Sequence, residues 1–185
     1  MSLAEELPHV DFADFLAAEH ASPERHELVG GRVYVMSGGR ERHALMTTLL
    51  TEALFPGALA AGCRRFAADR LIRLDASAYY PDLLIVYGPA GDDYYETDAD
   101  LVVEVLSPST RDIDRREKAT AYAGAASLRQ YLLVDPDERR IEVGEPSAGG
   151  LRWRVYGPES VLVTRFGTLV LAELYDSLDR LATHR

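Results

Sequence analysis

Three short segments of the chain are almost wholly apolar: "LLIVY" at 83–87, "LVVEVL" at 101–106 and "QYLLVD" at 130–135. Turn residues bound them. Pro81 precedes the first and Gly88-Pro89 follow it; Ser107-Pro108 close the second and Pro136 the third. Short apolar runs with such borders read as strands, and a strand with almost no polar alternation belongs in a sheet covered on both faces. Between the second and third segments lies a helical stretch from about Arg111 to Ala123. Ser109 or Thr110 can cap it, Asp112 and Asp114 suit its positive end, and Gly124 suits its stop. That length allows a crossover, so "LVVEVL" and "QYLLVD" are predicted neighbours.

The flanking sequence supplies the covering layers. Phe12, Phe15 and Leu16 recur at helical spacing. "HELVGGRVYVMSG" reads as a small hairpin around Gly30-Gly31. A longer helix is predicted from Glu41 to about Phe55, ended by Pro56-Gly57. "RRFAADRLIRLD" holds one strand or two, and the residues after Pro136 read as β-hairpins followed by a short helix. Helix, strands, then strand–helix–strand predict a mixed α/β (α+β) fold. With 185 residues, one domain spanning 1–185 could bury about 70% of its unfolded surface.

Bulk chemistry narrows the function. The single cysteine, Cys63, excludes an internal disulfide and a Cys-based zinc cluster, and suits a reducing cytoplasm. The N-terminus is acidic and has no apolar core of the kind a signal peptide carries. No apolar run approaches the roughly 20 residues of a membrane span, so no membrane partner is expected. The net charge of −10 counts against broad adhesion to DNA or anionic lipid, though it leaves room for a local basic site.

Against that background one carboxylate is out of place. Strand alternation puts Val102, Glu104 and Leu106 on one face of "LVVEVL". Burying Glu104 unpaired would cost several kcal/mol, so an Arg partner, an open strand end or a cation should compensate it. Asp82 opens the neighbouring apolar strand directly after Pro81, where a turn or cap role is the ordinary alternative. One cation is also distinctive: of 20 basic residues, Lys118 is the sole lysine. A stray lysine on a solvated helix face would need no explanation. Lysine nevertheless offers what arginine cannot, a compact ammonium whose pKa moves with its surroundings. Asp114, Lys118 and Tyr122 recur every four residues and form one helix stripe. If the two strands are adjacent, both acids and Lys118 can meet. Such a set suits Mg²⁺ or Mn²⁺, which take oxygen ligands and retain waters. Phosphodiester hydrolysis then follows as a chemistry: metal-activated water, with Lys118 as charge stabiliser or, if its pKa is depressed, as base.

"PD" at 81–82, "EVLSPST" from Glu104, the helical Asp114–Lys118–Tyr122 set, "QYLLVDP" and "HELVGGRVYVM" together resemble the Uma-type restriction endonuclease family of the PD-(D/E)xK nuclease superfamily. The resemblance covers roughly residues 10 to 175. It implies a restriction-endonuclease-like central mixed sheet flanked by helices, here with extra C-terminal β-hairpins. It also implies metal binding by Asp82 and Glu104, catalysis by those two with Lys118, DNA as substrate and a homodimer. The basic motif expects lysine two residues after the second acid, where this chain has Leu106; Lys118 on the following helix stands at the matching place of the Uma-type branch. Glu27 is the candidate for the superfamily's acid near the first helix, with a turn carboxylate as its alternative. Tyr122 and Tyr131 are read as packing residues with a hydroxyl tether. His26 and His43 are read as structural, with metal or phosphate contact as the alternative. Two competing functions stay open: a non-catalytic binding or interaction module on the same fold, which the acidic charge favours, and hydrolysis of a small phosphoester.

Overall fold

The computed structural model describes residues 9–183 apart from Ser37 and Ser109, so the expected cap at Ser109 and the acidic N-terminus lie outside the described residues. Helix α1 (Phe12–Ala21) starts at Asp11, whose side chain accepts from the Asp14 N–H, and the hairpin β1 (His26–Val29) and β2 (Arg32–Val35) follows. Then come α2 (Glu41–Ala60), β3 (Arg64–Ala67), β4 (Leu71–Leu74), β5 (Ser77–Tyr79), β6 (Leu83–Val86), β7 (Tyr95–Glu96) and β8 (Leu101–Val105). The crossover comprises α3 (Arg111–Ile113), one π-helical turn (Asp114–Lys118) and α4 (Ala119–Ala123). The chain ends in β9 (Gln130–Asp135), β10 (Arg140–Ser147), β11 (Gly150–Tyr156), β12 (Val161–Thr164), β13 (Gly167–Val170) and α5 (Leu171–Ala182).

The three apolar segments form the middle of a six-stranded mixed sheet, ordered β11-β10-β9-β8-β6-β3. β8 pairs antiparallel with β6 and parallel with β9, as the helical crossover requires. A five-stranded sheet, β2-β1-β5-β4-β7, lies beside it, and β12-β13 form a separate hairpin. The C-terminal strands therefore do two things: β10 and β11 extend the main sheet, while β12–β13 make a second layer against α2. This is the mixed α/β architecture with helix-flanked sheets that the sequence predicts.

Both faces of the main sheet are covered. On one, Leu83, Ile85, Val103, Val105, Leu132 and Val134 pack against Met46, Leu50 and Leu54 of α2 and Leu171, Leu174 and Leu178 of α5. On the other, Leu84, Val86, Val102, Leu106 and Leu133 pack against Ala119 and Tyr122 of α4 and against Ile72 and Tyr79 of the small sheet. Glu104 shares this second face.

Helix α2 corrects one expectation. It runs through Pro56 to Ala60 instead of stopping at Phe55. An internal proline costs roughly 3 kcal/mol, but Leu54 and Ala58 on either side of it are fully buried, and their packing outweighs the break. Gly57 has a tertiary role: a Cβ there would come within 1.9 Å of the Phe166 carbonyl oxygen, so glycine lets the β12–β13 turn lie directly on the helix.

Candidate active site

Asp82 stands one residue before β6, and the β6–β8 register pairs Leu83 with Val103. Continuing that register by one residue sets Asp82 opposite Glu104, so the two acids belong to one cross-strand position at the end of the ladder. Asp82 is anchored there, because its Oδ2 accepts the Val105 N–H at 2.7 Å. The same oxygen lies 3.3 Å from Nε2 of His43, which projects from the first turn of α2. Burial alone would lower the His43 pKa, but the hydrogen bond to Asp82 and its charge outweigh burial and raise it.

The crossover delivers Lys118. Asp114 and Lys118 are buried at the two ends of the π turn. Tyr131 of β9 donates its hydroxyl to the Asp114 carbonyl oxygen at 3.0 Å. A side chain that competes for a ladder carbonyl is a recognised cause of such a widened turn, and widened turns recur at functional sites. Lys118 then points inward, 3% exposed, with Nζ 3.0 Å from Glu27 Oε1, 3.1 Å from Glu104 Oε1 and 3.3 Å from Asp114 Oδ1. The Tyr122 hydroxyl donates to Glu104 Oε1 at 3.2 Å. Glu27 reaches in from β1 and is fixed by the Tyr80 N–H at 3.1 Å. The Tyr79 ring closes one side, its centroid 5.5 Å from Nζ.

The charges do not balance. Glu27, Asp82, Glu104 and Asp114 act on one another around a single ammonium. Burial raises the Glu104 pKa well above the usual carboxyl range; Lys118 pulls it down, while Asp114, Asp82 and Glu27 push it up. Asp114 is raised too, again chiefly by burial and against the pull of Lys118. Burial lowers the Lys118 pKa, but Glu104, Glu27 and Asp114 together raise it well above its ordinary value. Of the two roles that the sequence leaves open for Lys118, a raised pKa fits the charge stabiliser and not the base. Burial and then Glu104 raise the Tyr122 hydroxyl well above its usual range, so it remains a donor.

One feature fits a further cation. Carboxylates outnumber the ammonium: Glu27, Glu104 and Asp114 share Lys118, and Asp82 stands beside Glu104. The donors are carboxylate oxygens, the chemistry that Mg²⁺ and Mn²⁺ prefer. Among the described residues no three His, Cys, Asp or Glu side chains form a ready-made metal cage. A cation would therefore be held by the Asp82–Glu104 pair and complete its shell with water, as small hard cations commonly do.

The structure thus gathers Asp82, Glu104, Lys118, Glu27, Tyr122 and His43 into one region. His26 is not part of it; its Nδ1 lies 2.9 Å from Glu19, a structural pairing. Sequence reasoning gave Asp114 only a stripe position and missed its carboxylate as a partner of Lys118. Its place four residues before Lys118 was the available signal.

Comparison with known proteins agrees with this fold. Residues 12–172 match the family Uma2, described as "Putative restriction endonuclease". An uncharacterized Synechocystis protein, slr1290, is 33% identical over 142 residues, covering 74% of each chain. A second uncharacterized Synechocystis protein, sll1609, is 30% identical over 139 residues, covering 70% of this chain and 77% of its own. A crystal structure from Anabaena variabilis, of "a putative nuclease belonging to DUF820", shares the fold with a TM-score of 0.70 at 17% identity, covering 91% of this chain and 99% of its own. No helix among the described residues is long and apolar enough to cross a membrane. The chain belongs to the Uma2 family, whose description is putative restriction endonuclease.

Proposed function

We propose that this chain, as one nuclease-like domain, is a divalent-metal-dependent endonuclease that hydrolyses DNA phosphodiester bonds. One observation carries the reading: two carboxylates at one end of the β6–β8 pair, Asp82 and Glu104, act on each other beside the only lysine in the sequence. Asp82 and Glu104 would hold the ion. The chemistry that Mg²⁺ or Mn²⁺ supplies when bound is activation of water and neutralisation of phosphoryl charge. The rest falls to the chain. Val105 N–H and His43 fix Asp82, and Tyr122 and Lys118 fix Glu104. The Lys118 ammonium opposes negative charge developing on the phosphate, a role that needs a protonated group. Glu27 holds that ammonium in place and marks the inner wall. Two copies of the chain would let two such sites act on two strands.

The test is cleavage of supercoiled and single-stranded DNA in Mg²⁺, Mn²⁺ or chelator. Cleavage is expected with metal only, and to fall by at least about 10²-fold in Asp82→Ala, Glu104→Gln and Lys118→Met, the scale of losing a single electrostatic stabiliser. Metal-dependent cleavage that survives these changes would refute the assignment. A second reading, a non-catalytic module, is favoured by one observation: Lys118 is already engaged by three carboxylates and almost inaccessible. It expects neither cleavage nor a metal-linked rise in melting temperature. Light scattering at graded concentration tests the dimer.

A further inference from the structure

A large groove lies outside the carboxylate cluster. It is an open trough of about 1530 Å³ between the β1–β2 hairpin, the β4–β5 turn, the outer face of the 111–123 helix and the β10–β11 hairpin. Small-molecule pockets typically occupy roughly 300–1,000 Å³, so this one suits a polymer better than a metabolite.

Its lining is unusual for so acidic a chain. Most arginines among the described residues sit in ion pairs, for example Arg64 and Arg70 on Glu96, Arg139 on Asp176 and Arg165 on Asp100. Two that line the groove do not: Arg32 on β2 and Arg116 in the π turn have no carboxylate partner among the described residues. Arg73 reaches the groove edge from β4, but its guanidinium rests 4.4 Å over the Phe12 ring, on the face that α1 covers. Asp75 and Glu117 also line the groove, and Arg115 there is taken by Glu142 at 2.5 Å. Two free guanidiniums against two carboxylates leave the groove locally near neutral on a chain carrying −10.

Two exposed aromatics share the groove. Tyr34 is 43% and Trp153 37% exposed. Trp153 is braced from below by Tyr131, edge-on with ring centroids 5.9 Å apart. A braced, half-open indole beside unpaired guanidiniums is the chemistry of a single-strand site: bases stack on the rings and phosphates meet the cations. Paired bases inside a duplex cannot present their faces in this way.

We infer that the groove binds a single nucleic-acid strand, with bases on Trp153 and Tyr34 and phosphates on Arg32 and Arg116. The choice of a nucleic acid over another anionic polymer rests on the nuclease reading. The groove itself excludes Asp82 and Glu104, and the helix that carries Lys118 forms its wall. It therefore holds strand flanking the reaction centre and not the reacting phosphate.

Trp153 is the only tryptophan, so it reports directly. Full-length protein in chelator is titrated with an oligothymidylate of about 16 nucleotides, the upper end of known single-strand site sizes. Quenching of Trp153 emission is expected, with a log K against log salt slope near −1.4, about 0.7 for each of two phosphates. Arg32→Ala with Arg116→Ala should reduce that slope by about 1.4. Trp153→Leu, followed by anisotropy of labelled oligonucleotide, should weaken binding roughly tenfold or more, whereas Trp153→Phe should restore most of it. Unaltered emission at saturation, a slope that ignores both arginines, or tighter binding of the matching duplex would overturn the proposal. Metal-dependent cleavage with any of these results would leave the active-site reading standing. Groove binding without cleavage would do the reverse.

Discussion

Two carboxylates are buried to nearly the same depth in this molecule, and the protein treats them in opposite ways. Glu96 on β7 is 2% exposed and Glu104 on β8 is 4% exposed. Glu96 receives two guanidiniums: Arg64 grips both of its oxygens, and Arg70 adds bonds of 2.8 and 3.0 Å to one of them. Those arginines are partly solvated, so much of their desolvation cost is avoided. Glu104 must share one ammonium with Glu27 and Asp114, and Asp82 stands beside it. One site has cation to spare and the other lacks it. Glu96 is neutralised as a carboxylate of the fold, whereas Glu104 is left short of positive charge, which fits the proposed site because perturbed charge of this kind clusters at functional sites. The arginine–lysine split follows the same line. The planar fork suits the bidentate clamp on Glu96, and the compact ammonium suits a crowded point between three acids.

The comparison is easiest to break at its largest effect. Lys118→Met should lower stability at neutral pH by about 3–5 kcal/mol, since it strands buried charges. Arg70→Met should cost no more than about 1–2 kcal/mol, because Arg64 remains and the site reaches water. Equal losses in urea unfolding would erase the distinction between the clusters. Next in size is the metal. Mg²⁺ at about 100 times its Kd should stabilise the wild type by roughly 2.7 kcal/mol. The same gain is expected in Glu96→Gln and none in Asp82→Ala, read as melting temperature.

Neutralising each acid should then move stability in different directions. Glu96→Gln strands two arginines and should cost about 1–3 kcal/mol. Glu104→Gln relieves repulsion among neighbouring anions and should be neutral or slightly stabilising without metal, though inactive.

A smaller effect is the pH dependence in chelator. Glu104 faces Glu27 on β1, Asp82 before β6, Asp114 and Lys118 on the crossover, and the Tyr122 hydroxyl on α4. Glu104 and Asp114 hold their protons to higher pH folded than unfolded. Folding then takes up protons as pH rises from about 4, the unfolded carboxyl value. Their contribution to stability is greatest below that pH and falls as pH climbs to the folded values. His43, also raised, adds stability below its unfolded value of about 6.5 that is lost above its folded one. Urea midpoints should therefore decline from weakly acidic to neutral pH, and Glu104→Gln should flatten the decline. The smallest effect belongs to a pair in water: Asp69→Ala, which frees the exposed Arg25, should change stability by less than about 0.5 kcal/mol.

Much of this was legible beforehand, and for identifiable reasons. Glu104 stood out because a lone acid in an apolar strand breaks a strong local pattern. Lys118 and Tyr122 followed from helix periodicity, and their hydroxyl and ammonium contacts with Glu104 match it. Glu27 and His43 were ambiguous, since a carboxylate near a Gly-Gly turn and a histidine in a first turn are ordinary surface residues in sequence. Only docking of β1 and α2 beside Asp82 and Glu104 makes them neighbours. Glu96 gave no signal at all, since its two arginines lie 32 and 26 residues away. The run of α2 past Pro56 was hidden because helix propensity is local, while the packing that overrides it is not.

The sequence by itself determined the buried strands, their crossover, the mixed α/β class and the candidate set Asp82, Glu104 and Lys118, because residue periodicity decides which side chains share a face. Tertiary structure alone decided that four carboxylates crowd one ammonium, that a π turn aims Lys118 inward and that Glu96 is neutralised. Charge compensation depends on distances of a few ångströms between distant segments. Those distances exist only once the sheets and helices have packed.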